Sequence, residues 1–421
     1  MTTREEGAGV PARRAALRLL DAILRQGLPL EAALDGATRG ISNDSDRALA
    51  HAIAATVLRR LTDLDELIDS ATRQRLADDA KARFVLRIAF AQALVLGTPP
   101  HAAISTTLPL VDGGPRRLVH GVFGTVMRRN ATLPEPPTLL PQVAMRWGPA
   151  WGGEMIAAAE AAIARPAPID LLIGRGDAPE IAEAQMLAPN HLRLPAGTPV
   201  RELPGYAEGA WWVQDLAAAI PARLLGSGEG RTVLDLCAAP GGKTMQLAAA
   251  GWAVTAVESS GPRLGRLREN LERTGLSADL VEADVMAFAP PAPADAVLLD
   301  APCSATGIFR RHPDVLHRAR PSAIKQAAEV QTTMLDRVAD WVKPGGVLVY
   351  ATCSLEPAEG EDQLARFLAA HPDYAIDPVA TDELPAGIAP RDDGSVRTLP
   401  GMLAQQGGLD GFFIARMRRA A

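Results

Sequence analysis

Three cysteines in 421 residues are too few for a disulfide framework, and their separations of 66 and 50 residues contain no CxxC pair. Seven scattered histidines add no ligand set, so no structural zinc or other metal is expected. Long apolar runs are missing too. The nearest, IAFAQALVLG at 88–97, holds a glutamine and falls short of the ~20 residues of a bilayer-spanning helix, so no membrane partner is expected. The opening MTTREEGAGV has acids where a secretory peptide has a basic start and an apolar middle, so a cytoplasmic protein without a targeting segment is expected. Strong positive charge is also absent. A net charge of −6 and a pI near 5.7 argue against a chain coated in nucleic acid. The balance is uneven, however. Residues 1–135 carry 18 Lys and Arg against 15 Asp and Glu, net +3, which leaves 25 against 34, net −9, for the rest. The amino-terminal part is the better phosphate contact.

The length exceeds one ordinary domain and allows two or three full cores. From Pro11 to about Asn130 apolar residues recur at threes and fours, as in ARRAALRLLDAILRQG and DRALAHAIAATVLRRLTDLDELI, which predicts an all-α domain over residues 1–131. ISNDSD at 41–46 supplies caps between helices, and LGTPPHA at 96–102 reads as a proline-containing break. Four prolines in TLPEPPTLLP mark residues 132–141 as a stiff linker. Residues 142–210 read as a small α+β segment, with one helix in GGEMIAAAEAAIARP. From there to the end, apolar runs of four to seven residues alternate with amphipathic helices, which predicts an α/β Rossmann-like domain over 211–421. Its strands are expected at 232–236, 253–258, 279–282, 295–300 and 345–352.

VLDLCAAPGGKTMQLA puts a buried strand, a loop of small residues and a helix start in succession, an arrangement that binds nucleotide-like ligands. A Walker A loop needs glycine five places before Gly242, where Cys237 stands, and the spacing of Gly241 and Gly242 does not fit GxGxxG. Glu258 lies 16 residues past Gly242, about where an acid grips ribose hydroxyls, and Asp284 and Asp300 end the next two strands. An acid after a strand is by itself more often a helix cap than a ligand. Together, acids facing one crevice without a cationic clamp suggest S-adenosyl-L-methionine over NAD or ATP.

LDLCAAPGGKT, LLDAPCSATGIFRRHPD and GGVLVYATCSLEPAEGED, in this order within a region of about 190 residues, resemble the RNA cytosine carbon-5 methyltransferases of the NOL/Sun family. The amino-terminal ARRAALRLLDAIL, DRALAHAIAATVLRRL and LRIAFAQALVLGTPPHAAI with VHGVFGTVMRRN resemble the NusB-like helical domain of its bacterial 16S ribosomal RNA members, of RsmB (Fmu/Sun) type. The resemblance implies a monomeric enzyme acting on RNA. It implies Cys353 as the thiolate that adds to carbon 6 of cytosine, Asp300 as the residue that holds or protonates the ring nitrogen, and Cys303 as the one that assists release. It also implies cofactor contacts from Cys237, Ala238, Ala239, Pro240, Gly241, Gly242 and Lys243, with Glu258 on ribose, Arg263 beside it, Asp284 near adenine and Asp300 shared.

The chain departs from the family pattern at Glu258, where aspartate is commoner, and at SSGP before Arg263. Ala305 replaces the glycine of PCSGTG, and PAEGED replaces PEENE after Cys353. Taken singly, either cysteine reads equally well as a small buried hydrophobe. Transfer RNA or large-subunit RNA are alternative substrates. A DNA methyltransferase using Cys303 as nucleophile, or an RNA-binding scaffold without catalysis, are alternatives of another kind. The VQD at 213–215 also resembles the family, without an assigned role.

Overall fold

The computed structural model describes residues 7–174 and 179–421, so the first six residues of the opening stretch lie outside the described residues. The chain divides into two compact units, residues 1–165 with 311–318, and 166–310 with 319–421.

The first unit is helical: α1 (Val10–Leu24), α2 (Leu30–Ala37), α3 (Asp44–Arg59), α4 (Leu61–Asp69), α5 (Lys81–Leu94), α6 (Pro100–Thr107), α7 (Gly113–Arg128) and α8 (Pro141–Ile163). The starts follow the punctuation of the sequence. The Asn43 carboxamide accepts from Ser45 N at 2.9 Å to cap α3, and α6 opens on the proline that breaks the preceding run. Helix α5 is the centre of this core, with Phe84, Val85, Leu86, Ile88, Ala89 and Phe90 buried. The proline-rich stretch is pinned to this unit. Arg60 bonds Pro134 O and pairs with Glu135, and Thr138 N donates to Asp63 at 3.3 Å. Helix α8 groups here and not with the strands that follow, although one segment over 142–210 was expected.

The second unit begins with β1 (Ile169–Ile173), β2 (Gln185–Ala188), β3 (His191–Leu194) and β4 (Trp211–Val213), an antiparallel sheet in the order β2-β3-β1-β4. Asp170 on β1 faces Arg193 on β3 and forms a buried bidentate pair with it at 2.6 and 2.7 Å. The chain continues through α9 (Leu216–Arg223), β5 (Thr232–Leu236), α10 (Gly242–Ala249), β6 (Ala253–Glu258), α11 (Gly261–Thr274), β7 (Asp279–Glu282) and β8 (Ala294–Asp300). After α12 (Val315–Arg318), which belongs to the helical unit, come α13 (Pro321–Val338), β9 (Val342–Thr352), α14 (Glu361–Ala370), β10 (Tyr374–Ile376), β11 (Val396–Thr398) and β12 (Phe412–Arg419).

These strands form a second sheet in the order β10-β12-β9-β8-β5-β6-β7, with β11 also paired to β12. Strands β5 to β9 run parallel and fall on the apolar runs of the sequence, while β12 lies antiparallel to β9. The order steps outward from β5 through β6 and β7, then returns to β8 on the other side of β5. That reversal opens a crevice at the carboxyl ends of β5 and β8, the usual place for a ligand in an open α/β sheet.

Candidate active site

The loop after β5 is shaped by backbone requirements. Gly241 has φ 106°, and a Cβ there would come 2.9 Å from Leu267 Cγ, so the turn into α10 requires glycine. Cys237 also has positive φ, 60°. Its thiol is pushed up to about 12 by burial and then by the surrounding carboxylates Asp300, Glu258 and Asp235, which makes it an inert member of the three. Asp235, buried on β5, accepts from Thr244 Oγ1, and burial raises its pKa to about 7.

Lys243 Nζ lies 2.7 Å from Asp300 Oδ2 at the end of β8. Burial by itself would lower the lysine, but Asp300 outweighs it and holds the ammonium above its ordinary value. Glu258 is buried at the end of β6. Its carboxylate accepts from Ser260 N at 3.0 Å and Ala239 N at 3.3 Å, and pairs with half-exposed Arg263 at 3.1 Å. Asp284 is exposed and accepts from Met286 N at 2.8 Å, the local cap of its own turn. Gln214 of VQD accepts from Trp212 Nε1 and donates to Gln246, and a Cβ on Gly242 would meet its Oε1 at 3.1 Å. The neighbouring Asp215 caps α9 and pairs with Arg310 at 3.0 Å.

Strands β8 and β9 are neighbours, with Asp300 opposite Ala351. Their extensions therefore bring Cys303 and Cys353 together, with the two sulfurs 3.4 Å apart and unbonded. Backbone bonds lock the two loops: Ala301 N to Ala351 O and Gly307 N to Cys353 O, both 2.9 Å. The Cys303 thiol is raised well above its ordinary range, first by its hydrogen bond with Cys353 and then by burial. Ala305 has φ 57°, the conformation that glycine takes at ease.

Of the residues singled out from sequence, the structure brings Lys243 to Asp300, Arg263 to Glu258 and Cys303 to Cys353. It also brings in Glu359, which the sequence marked only as part of an altered loop. The signal was the serine that follows each cysteine, because Ser304 and Ser354 both donate to the Glu359 carboxylate.

The model of the 16S rRNA methyltransferase RsmB/F family matches residues 222–418, and that of the NusB family matches residues 10–128. The "Ribosomal RNA small subunit methyltransferase B" of Xylella fastidiosa strain Temecula1 is 37% identical over 97% of this chain and 98% of its own length. That of Xanthomonas campestris pv. campestris is 34% identical over the whole of both chains. Among solved structures, PH0851 superposes over 100% of both chains with TM-score 0.73 at 22% identity. The NSun6 structure from Pyrococcus horikoshii with SFG covers 68% of this chain and 99% of its own, with TM-score 0.53 at 19% identity. These two likenesses establish the fold.

Proposed function

This chain belongs to the 16S rRNA methyltransferase RsmB/F family, and from that premise we propose that it methylates carbon 5 of a cytosine in RNA, most plainly 16S ribosomal RNA. S-adenosyl-L-methionine is its cofactor and supplies the methyl group as an electrophile. The residues of the crevice suit that ligand. Lys243 and Arg263 are each committed to a carboxylate, which fits a ligand without phosphates, and Glu258 offers acceptor oxygens for a ribose diol. The loop from Cys237 to Lys243, with Glu258, Arg263, Asp284 and Asp300, lines the cofactor side.

The observation that carries the reading is the 3.4 Å approach of Cys303 and Cys353 near the Lys243–Asp300 pair. Carbon 5 of cytosine is a poor nucleophile until a group adds to carbon 6. The Cys353 thiolate adds there, Asp300 holds or protonates the ring nitrogen, and electron density moves to carbon 5. After methylation the carbon-5 proton must leave before Cys353 is expelled. Cys303, 3.4 Å from Cys353, is placed to assist that release.

The helical domain, residues 1–131, holds the RNA backbone and 211–421 catalyse, with the roles of 132–141 and 142–210 unassigned. Transfer RNA and large-subunit RNA are the substrates to be told apart from 16S RNA. The test compares two substitutions on a denaturing gel. Cys303→Ala should methylate RNA and stay attached as a slow band, and Cys353→Ala should be inactive without one. The reverse pattern would exchange the roles, and equal losses without a band would remove both. Mapping 5-methylcytosine in RNA from a strain lacking this chain identifies the substrate.

A further inference from the structure

Glu359 is fully buried in the single helical turn 357–359 that follows Cys353. A buried carboxylate is costly unless its oxygens are fully engaged, and these oxygens are. Oε1 accepts from Ser304 N at 2.8 Å and Gln331 Nε2 at 3.2 Å, and Oε2 accepts from the hydroxyls of Ser304 and Ser354. The two hydroxyls lie 3.2 Å apart. The backbone carbonyl of Glu359 accepts from Thr352 Oγ1 at 3.2 Å and Tyr350 OH at 2.7 Å. Gln331 in turn donates to Pro302 O at 2.8 Å.

The arrangement repeats around each thiol. Cys303 is flanked by Pro302, tied to Gln331, and by Ser304, tied to Glu359. Cys353 is flanked by Thr352, tied to the Glu359 carbonyl, and by Ser354, tied to the Glu359 carboxylate. We propose that Glu359 is a positioning residue that clamps both cysteine loops through the serine after each thiol and thereby sets the spacing of Cys303 and Cys353.

This inference rests on the two-cysteine reading above. Attack by Cys353 uses one thiol, with Asp300 on the ring, whereas release needs both thiols in register, and a displacement of about 1 Å is enough to cost on the order of 10²-fold in a positioned step. Loosening the clamp therefore harms release more than attack.

Glu359→Gln keeps the shape and one acceptor oxygen, but turns a donor toward the serine hydroxyls. With the full-length protein and its RNA, it should bind S-adenosyl-L-methionine within about twofold of the parent, turn over on the order of 10²-fold more slowly, and accumulate the covalent RNA adduct that Cys303→Ala accumulates. A second readout does not depend on the reaction. The thiol oxidant diamide, itself reduced to the hydrazine, should join Cys303 to Cys353 rapidly in the parent and at least about tenfold more slowly in Glu359→Gln, since the thiols are no longer held together.

Parent-like turnover and parent-like crosslinking in Glu359→Gln would overturn the proposal. Absence of an adduct in Cys303→Ala, with slowed crosslinking in Glu359→Gln, would leave the clamp standing and overturn the two-cysteine chemistry. Should Glu359→Gln not fold, the pair Ser304→Ala with Ser354→Ala strips the clamp from its other side. It must then slow crosslinking, and unchanged crosslinking in that pair sinks the proposal.

Discussion

Lys243 Nζ and Asp300 Oδ2 meet at 2.7 Å across the crevice, joining the first residues of α10 to the end of β8. The lysine comes from the start of α10, after the loop that follows β5, and the aspartate from the strand that leads to Cys303. We expect Lys243→Met and Asp300→Asn each to lower kcat/KM by about 10²-fold, and the double substitution to be little worse than either. Residues acting as one unit show such non-additivity. Steady-state methylation of RNA measures it, and losses that multiply would mean that the two act separately.

Glu258 is proposed to touch the cofactor and not the RNA. Glu258→Gln should raise KM for S-adenosyl-L-methionine by about 10-fold or more and leave kcat within about threefold, the pattern of lost uniform binding. A fall in kcat at unchanged KM would remove it from the ribose contact.

Ala305 carries a left-handed φ of 57° where the family pattern has glycine. A side chain there costs roughly 1–2 kcal/mol, partly offset by the lower entropy of unfolded alanine. Ala305→Gly should therefore raise the urea midpoint slightly, by the equivalent of about 0.5–1 kcal/mol. A lowered midpoint would show that the strain is not there.

The Asp170 carboxyl is the pH probe. Burial would raise its pKa, but the two bonds from Arg193, with His191 3.6 Å away, outweigh that and hold it at about 2. Its folded value lies below its unfolded one, so the stability that it confers is complete above about pH 4 and is lost as the pH falls toward about 2. The shift is worth about 2 kcal/mol as an order of magnitude. Asp170→Asn should flatten the acid limb of stability and also weaken the protein at pH 7, because Arg193 is left buried without its counter-charge. Tryptophan-monitored denaturation at pH 7, 4 and 3 checks both. An unchanged acid limb in Asp170→Asn would assign that limb to other carboxylates.

The sequence by itself determined the periodic parts of this protein. Helices from residue 10 onward and the strands β5 to β9 follow from apolar spacing, because each element buries one face or both against a neighbour. The glycines of the 237–243 loop and the two Cys-Ser pairs were legible as chemistry, since few backbones and few side chains can do those jobs. Tertiary structure decided the rest. That β8 and β9 lie side by side, and hence that two cysteines 50 residues apart face each other, depends on strand order, which no local pattern encodes. The grouping of Asp314 and His317 with the helical unit, through Leu30 N at 3.3 Å and Leu58 O at 2.9 Å, is likewise a long-range outcome. So is the burial of Glu359. A carboxylate looks like solvated surface in any stretch of sequence, and only the convergence of Ser304, Ser354 and Gln331 makes an interior position tolerable.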